Sequence, residues 1–337
     1  MMDKTLWIKG CAGLGNRLHT LSSGIEYAKR TRRKIIIDWT DGQFAPEGEN
    51  AFYNVFDLVD IDYEQKLPDE NEIKSTSVYP PIWKKSPSSN IYDLFEEAEI
   101  KQTILQRIPV RWIPRGPLRK VHGYWRSKTE WENYQQKKWH VVPFMFRSGN
   151  VLMGDDYSYD LEEDVVISCD FCPPLRASEL KKHIQVSHDV KNKVSEFYEK
   201  NAMQGNSVAV HIRNTDKKPT SDINSLVSAL AGDQYKSRKI LLCTDNPETD
   251  RLFKEKLDNV VSFQKTTQFD KDLPPHRVSY EYGGVDKRVM LEESLIDMCL
   301  LAESDEFLYQ GNSSFSQIAL ILRDEKNTNM RDWSTIV

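Results

Sequence analysis

The stretch Val208-Ala-Val-His-Ile-Arg-Asn-Thr-Asp-Lys217 decides the fold class of this 337-residue chain. Its apolar, β-branched start predicts a buried strand over 207–212. Charged side chains follow at the carboxyl end of that strand, where ligands bind in open α/β sheets. A guanidinium there suits phosphate oxygens, although a plain surface salt bridge at a strand end is the alternative interpretation. The ionisable residues of the stretch are His211, Arg213, Asp216 and Lys217.

The surrounding residues alternate between strand and helix patterns. Asn246-Pro247 is typical of a helix start, with Asn as the N-cap and Pro at the first helical position. The alternation of elements predicts a Rossmann-like parallel sheet in the C-terminal half. Further strands are predicted over 239–245, 260–263 and 306–310, and helices over 178–200, 287–302 and 313–322.

The N-terminus predicts a second α/β unit. A short strand over 6–10 leads into a glycine-bearing loop, an amphipathic helix and a buried strand over 34–39, which together form a βαβ unit. We therefore predict two Rossmann-like domains, 1–175 and 176–337. The sequence of residues 40–175 indicates irregular connections and short helices, and 121–125 has the pattern of a strand.

Composition restricts the class of function. Hydrophobic residues make up 39% of the chain and charged residues 29%, which is typical of a soluble globular protein. The net charge of −5 and pI of about 5.9 argue against nucleic acid as a partner, because phosphate binding on that scale needs a basic surface. No apolar run approaches the ~20 residues that span a bilayer, and no secretory signal is visible, so we expect a cytoplasmic protein.

The five cysteines are sparse and odd in number, which suggests a reducing compartment. Cys169 and Cys172 have C-x-x-C spacing, but no second Cys or His pair stands at zinc-site spacing. We interpret them as ordinary cysteines and expect no metal.

Three sites fall at carboxyl ends of strands in the C-terminal half. They are Arg213, Thr244-Asp245 and the Gly311-Asn-Ser-Ser-Phe315 stretch. The last is a predicted helix N-terminus, where free amides and the helix dipole attract an anion, so Arg213 and the amides of Ser313 and Ser314 could clamp a diphosphate. In the N-terminal loop Gly13-Leu-Gly-Asn-Arg17, the glycines could only make a tight turn, or Asn16 and Arg17 could face a ligand in an interdomain cleft.

Taken together, these motifs resemble the fucosyltransferase superfamily, and within it the alpha-1,6-fucosyltransferases and the rhizobial nodulation fucosyltransferases. The resemblance covers the N-terminal loop and most of 207–325. The motifs that carry it are Gly13-Leu-Gly-Asn-Arg17, His211-Ile-Arg-Asn-Thr-Asp-Lys217, Leu242-Cys-Thr-Asp-Asn-Pro247, Leu295-Ile-Asp-Met-Cys299 and Ser313-Ser-Phe-Ser316.

The resemblance implies a GT-B-like fold, a GDP-sugar donor, inversion at the anomeric carbon and no metal. It makes 1–175 the acceptor-side domain and 176–337 the domain that binds the GDP-sugar. It places Arg213 on the β-phosphate in a catalytic set with Asp216, Lys217 and Asp222. The donor-binding residues that it implies are His211 and Asp297 on guanine, Ser313 and Ser314 over the diphosphate, Asp245, and the loop residues Gly13, Gly15, Asn16 and Arg17.

Two departures leave alternatives open. Asn214 stands where the alpha-1,6 enzymes have a second arginine, which weakens the case for fucose. Ser221 replaces their proposed base, so the base is Asp222, Asp216 or a carboxylate from the N-terminal half. A metal-dependent transferase using Asp60-Ile-Asp62, or a binding protein without turnover, are the other hypotheses. The expected acceptor is a glycan, lipid-linked or nucleotide-derived, for a bacterial surface polysaccharide.

Overall fold

The computed structural model describes residues 4–89, 160–170, 175–267 and 285–337. The chain forms two compact units that interleave along the sequence. The first unit comprises Met1–Cys11, His19–Asp41 and Asp60–Glu179, and the second comprises Ala12–Leu18, Gly42–Val59 and Leu180–Val337. The second unit therefore contains the N-terminal glycine loop. The predicted boundary near residue 175 stays a prediction.

The first unit is built on a parallel sheet of order β4-β2-β1-β6-β5. Its central strands are apolar and buried on both faces, as parallel strands covered by helices must be. Gly24 lets the first helix approach the sheet, since a Cβ there would lie 2.5 Å from Ile8 Cδ1. The elements are β1 (Thr5–Lys9), α1 (Leu14–Thr31), β2 (Lys34–Asp38), β4 (Tyr63–Glu64), α2 (Glu70–Ser75), β5 (Val78–Tyr79) and β6 (Val165–Ser168). The start of α1, up to Leu18, and strand β3 (Phe56–Leu58) belong to the second unit.

The second unit has a parallel sheet of order β10-β9-β8-β11-β12. Strand β8 is buried at every position and lies in the middle, so its carboxyl end opens at the centre of one sheet edge. The elements are α3 (Ala177–His183), β7 (Ile184–Val186), α4 (His188–Lys200), β8 (Ser207–Ile212), α5 (Ile223–Leu230), α6 (Asp233–Lys236), β9 (Lys239–Thr244), α7 (Pro247–Lys256), β10 (Val260–Val261), α8 (Lys287–Glu303), β11 (Glu306–Tyr309), α9 (Ser314–Leu322) and β12 (Met330–Asp332).

The predicted α/β fold class is confirmed, as is the helix that Asn246 caps and Pro247 begins. The single helix predicted over 178–200 is wrong, because β7 interrupts it. Strand β7 pairs antiparallel with β3, so a partner far away in the sequence overrides local helix propensity. The strand predicted over 260–263 is shorter, covering only Val260–Val261.

Several predictions concern residues outside the described ranges. These include the strand at 121–125 and Cys172 of the C-x-x-C pair. Cys11, Cys169 and Cys243 are buried, and Cys299 is partly buried. Among the described residues, no helix is both long and apolar enough to cross a membrane.

Candidate donor site

The turn after β8 holds an ion pair at the sheet edge. The Arg213 guanidinium donates from Nε and Nη2 to the two carboxylate oxygens of Asp216, at 2.9 and 2.8 Å. The backbone N–H of Arg213 donates to Gln310 Oε1 at 2.8 Å, which ties β8 to the end of β11. About a fifth of the Arg213 side chain is exposed. A guanidinium held in this way at a strand end can exchange its carboxylate partner for a phosphate.

Asp245 fastens the same turn to the end of β9. Its carboxylate accepts from the Asn214 backbone N–H at 2.8 Å and from Thr215 Oγ1 at 2.6 Å. Arg213 Nε lies 3.9 Å from its Oδ2. Burial raises the pKa of Asp245, against the lowering effect of its hydrogen bonds. Asp245 therefore shapes the turn that carries Arg213.

His211 is buried within β8 beside the start of α9. Its Nδ1 lies 2.6 Å from Ser316 Oγ, and its ring stacks on Phe315 with centroids 5.0 Å apart. Burial, assisted by the charges of Arg213 and Lys265, lowers the pKa of His211 to about 3, so its imidazole is neutral at pH 7. Because Ser316 Oγ accepts from the Gln310 N–H at 3.2 Å, its own hydroxyl proton can go to His211 Nδ1. In the tautomer that accepts this proton at Nδ1, Nε2–H is the donor.

The N-terminus of α9 forms the other side of the edge. Ser313 is fully buried at the N-cap position, and among the described residues its Oγ has no hydrogen-bond partner. A Cβ on Gly15 would lie 2.8 Å from Ser314 Oγ and from the Phe315 backbone N. The glycine loop thus packs directly on the first turn of α9, as only a residue without a side chain allows.

The rest of the glycine loop is internal to the second unit. The Gly13 carbonyl accepts from the backbone N–H groups of Asn16 and Arg17, at 3.0 and 3.2 Å. Arg17 is 1% exposed, donates to the Ala12 carbonyl and to Gln43 Oε1, and lies over the Phe44 ring. Arg17 therefore joins the loop to residues 42–44, and its direct contact with a ligand stays a prediction.

Asp297, predicted to contact guanine, forms an ion pair inside the second unit. Lys265 Nζ lies 2.6 Å from its Oδ2 and also donates to the Thr244 carbonyl at 3.2 Å. Burial raises the pKa of Asp297, against the lowering effect of Lys265. Burial disfavours the charged form of Lys265, but the neighbouring Asp297 carboxylate raises the pKa of Lys265 above its ordinary value. The pair lies at the carboxyl end of β9.

The remaining candidates lie on the surface. Lys217 is exposed, and Asp222 is the N-cap of α5, accepting from Ser225 N–H at 2.9 Å and Ser225 Oγ at 3.0 Å. These hydrogen bonds lower the pKa of Asp222. Asp60 and Asp62 of the D-x-D triplet are exposed in the first unit. Within the described parts of the chain, no three or more His, Cys, Asp or Glu residues are placed to hold a metal ion.

The structure thus brings His211, Arg213, Asp216, Asp245 and Asp297 into the second unit, together with the start of α9. Sequence reasoning missed the residues that hold them in place: Gln310, Thr215, Ser316 and Lys265. Ser316 belongs to the motif Ser313-Ser-Phe-Ser316 and could have been found there. Lys265 follows the short β10, so the strand-end rule applied to that strand would have found it.

The chain has two parallel sheets with covering helices, and the second sheet carries cationic and helix-end groups at its carboxyl edge. This architecture is that of an α/β protein of the GT-B-like class. No protein family model matches the chain. In sequence the chain is similar to Nodulation protein Z of Azorhizobium caulinodans, with 23% identity over 327 residues, covering 90% of this chain and 85% of that protein.

In structure the chain is similar to NodZ alpha-1,6-fucosyltransferase soaked with GDP-fucose, with a TM-score of 0.55 and 18% identity, covering 96% of this chain and 97% of that one. It is also similar to fucosyltransferase NodZ from Bradyrhizobium, with a TM-score of 0.55 and 16% identity, covering 96% and 93%. The predicted resemblance to the nodulation fucosyltransferases and the predicted GT-B-like fold are confirmed.

Proposed function

We propose that the protein is an inverting, metal-independent glycosyltransferase that moves fucose, or a closely related sugar, from a GDP-sugar to a glycan. The carrying observation is the position of Arg213 at the end of β8, where its backbone N–H donates to Gln310, just ahead of the N-terminus of α9 with its buried Ser313 hydroxyl. Both groups are of the kind that binds a diphosphate. The similar NodZ structures were obtained with GDP and with GDP-fucose, which supports this donor.

The proposed reaction is a single displacement. An acceptor hydroxyl attacks the anomeric carbon as the bond to the diphosphate oxygen breaks, which inverts the configuration, and a base takes the hydroxyl proton. Negative charge develops on the departing GDP, where Arg213 and the first amides of α9, from Ser314 onward, stabilise it. The predicted Ser313 amide is not part of this set, because its N–H donates to the Gln310 carbonyl at 3.0 Å. These groups supply the positive charge that a metal ion provides in D-x-D enzymes.

Asp216 is our first candidate for the base. Asp222 is the weaker one, because its carboxylate caps α5 and its hydrogen bonds favour the deprotonated, weakly basic form. A carboxylate from the N-terminal half is the third. Lys217, exposed beside Asp216, is proposed to contact the donor or the acceptor from the edge of the site.

The acceptor is proposed to be a glycan of a bacterial surface polysaccharide, reached from the cytoplasmic side and carried on a lipid that the protein meets only peripherally. Asn214, which stands where the alpha-1,6 enzymes have a second arginine, weakens the inference that the transferred sugar is fucose. Its amide donates to Thr249 Oγ1 at 3.1 Å, so it braces the turn and provides no second cation for the donor.

The test is fucose transfer from labelled GDP-fucose to a panel of lipid-linked and free oligosaccharides in excess EDTA, comparing wild type with Arg213→Ala. The matched control is Arg251→Ala, an exposed arginine on α7. We expect transfer by wild type and the control, and loss of about a hundredfold or more in Arg213→Ala. Full activity in Arg213→Ala, or abolition by EDTA, contradicts the proposal.

A protein that binds the nucleotide without turnover is the second candidate. It is favoured by one observation, namely that both candidate bases of the second unit are engaged, Asp216 by Arg213 and Asp222 by its helix cap. GDP-fucose that binds tightly but stays intact through a single-turnover experiment, with every acceptor tested, would favour this candidate.

A further inference from the structure

Lys265 is a lysine whose position the transfer chemistry does not explain. Its ammonium lies 2.6 Å from Asp297 Oδ2, with 18% of the lysine side chain and 7% of the aspartate side chain exposed. It also donates to the carbonyl of Thr244, the last residue of β9, at 3.2 Å. Thr244 is paired with Ile212, the last residue of β8, so the ammonium lies close to the end of β8 as well.

Helix α8 holds this lysine through two carboxylates one turn apart. Asp297 binds the ammonium, and Glu293 accepts from Thr266 Oγ1 at 2.6 Å and from the Thr267 N–H at 3.3 Å. Residues 265–267 are therefore fixed to one face of the helix. A buried ion pair adds little net stability compared with apolar residues of similar size, so stability alone does not account for it.

The pair presents a cationic donor beside a carboxylate acceptor. The matching edge of guanine presents the O6 acceptor beside the N1–H and 2-amino donors, whereas adenine has an amino group in place of O6 and an acceptor at N1. Sites built to hydrogen-bond a ligand reject analogues that leave their buried groups unpaired.

We propose that Lys265 is a base-reading residue, whose ammonium donates to O6 of guanine while the Asp297 carboxylate accepts from N1–H and the 2-amino group. The inference rests on the proposed GDP-sugar donor and adds the residue that selects its base.

The first test compares the dissociation constants of GDP and ADP by calorimetry for wild type and Lys265→Met. The matched control is Lys193→Met, because Lys193 also pairs with an α8 carboxylate, Glu292, at 2.6 Å, but on the surface. We expect Lys265→Met to weaken GDP about tenfold to a hundredfold and to leave ADP unchanged. The control should change neither. An equal loss for both nucleotides, or no loss, would overturn the role of Lys265.

The second test alters the ligand, so its main comparison uses only the wild-type protein. In 6-thio-GDP a sulfur, which is a poor acceptor, replaces O6 while N1–H and the 2-amino group remain. Wild type should bind it about tenfold more weakly than GDP, and Lys265→Met should bind the two alike. Equal binding of both by wild type overturns the inference. A wild type that binds no GDP contradicts the proposed function itself, whereas GDP binding without base preference contradicts only Lys265.

Discussion

The contact between the glycine loop and α9 leads to a sharp prediction for Gly15→Ala. The added Cβ would lie 2.8 Å from Ser314 Oγ, from the Ser314 carbonyl carbon and from the Phe315 backbone N. Ordinary Cβ contacts begin near 3.4 Å, so the first turn of α9 or the loop must move by 3.4 − 2.8 = 0.6 Å. Two of the three atoms are backbone, which cannot rotate away as a side chain can.

The magnitude follows from what moves. Overpacking of this kind costs about 1–3 kcal/mol of unfolding free energy. The displaced turn supplies the amides and helix dipole proposed to bind the diphosphate, an interaction of up to about 2 kcal/mol at a partly buried helix end. We therefore expect the dissociation constant of GDP to rise about threefold to thirtyfold.

Gly24→Ala is the matched control, because Gly24 lies further along the same helix. Its Cβ would lie 2.5 Å from Ile8 Cδ1, the flexible end of a side chain in the first unit. Thermal unfolding and GDP calorimetry of both variants give the comparison. We expect both to change stability and only Gly15→Ala to weaken GDP. GDP affinity that is unchanged in Gly15→Ala, or reduced equally in Gly24→Ala, would refute the proposed role of the α9 N-terminus.

Three further predictions concern single side chains. The pKa of His211 falls from the ordinary 6.5 to about 3 through burial, so between these values the unfolded chain binds a proton that the folded protein excludes. The free energy of unfolding should therefore decline as pH drops from 6.5 towards 3. In His211→Gln the melting temperature should depend less on pH over this range, and an unchanged dependence would contradict the prediction. Asp222→Ala should lower the melting temperature through the lost cap, whereas Asp222→Asn should keep both the cap and transfer; a large fall in kcat for Asp222→Asn would instead identify Asp222 as the base. Ser316→Ala should weaken GDP about fivefold by releasing the His211 tautomer, and Ser316→Thr should restore binding; calorimetry showing wild-type affinity in Ser316→Ala would argue against that role.

Much of the second sheet could be predicted from sequence because its strands are continuous apolar runs. Strand β8 and helix α8 could be predicted from the local sequence pattern alone. The break at β7 could not be, since residues 184–186 become a strand only by pairing with β3, more than a hundred residues earlier in the chain. Local propensity gives no information about such a partner.

The site was predictable to a similar degree. Arg213 and Ser313 follow from the rule that ligands bind at strand ends and helix N-termini. The ligand contact of Arg17 stays a prediction, and the packing of its guanidinium against Gln43 and Phe44 could not be predicted, because both residues lie outside the loop. Lys265 was missed because it follows a strand of only two residues. Its ion pair with Asp297 forms only in the folded chain, so neither local sequence indicates it.

The most direct measurement of the central claim is thermal stabilisation by GDP, UDP, CDP, ADP and GDP-fucose, without added metal, for wild type and Arg213→Ala. A ligand at a hundred times its dissociation constant adds about 2.7 kcal/mol to the unfolding free energy, which is readily measured. The account predicts stabilisation of wild type by GDP and GDP-fucose alone, and its loss in Arg213→Ala. No response to GDP, together with a metal-dependent response to UDP, would contradict the account and favour a site at Asp60 and Asp62.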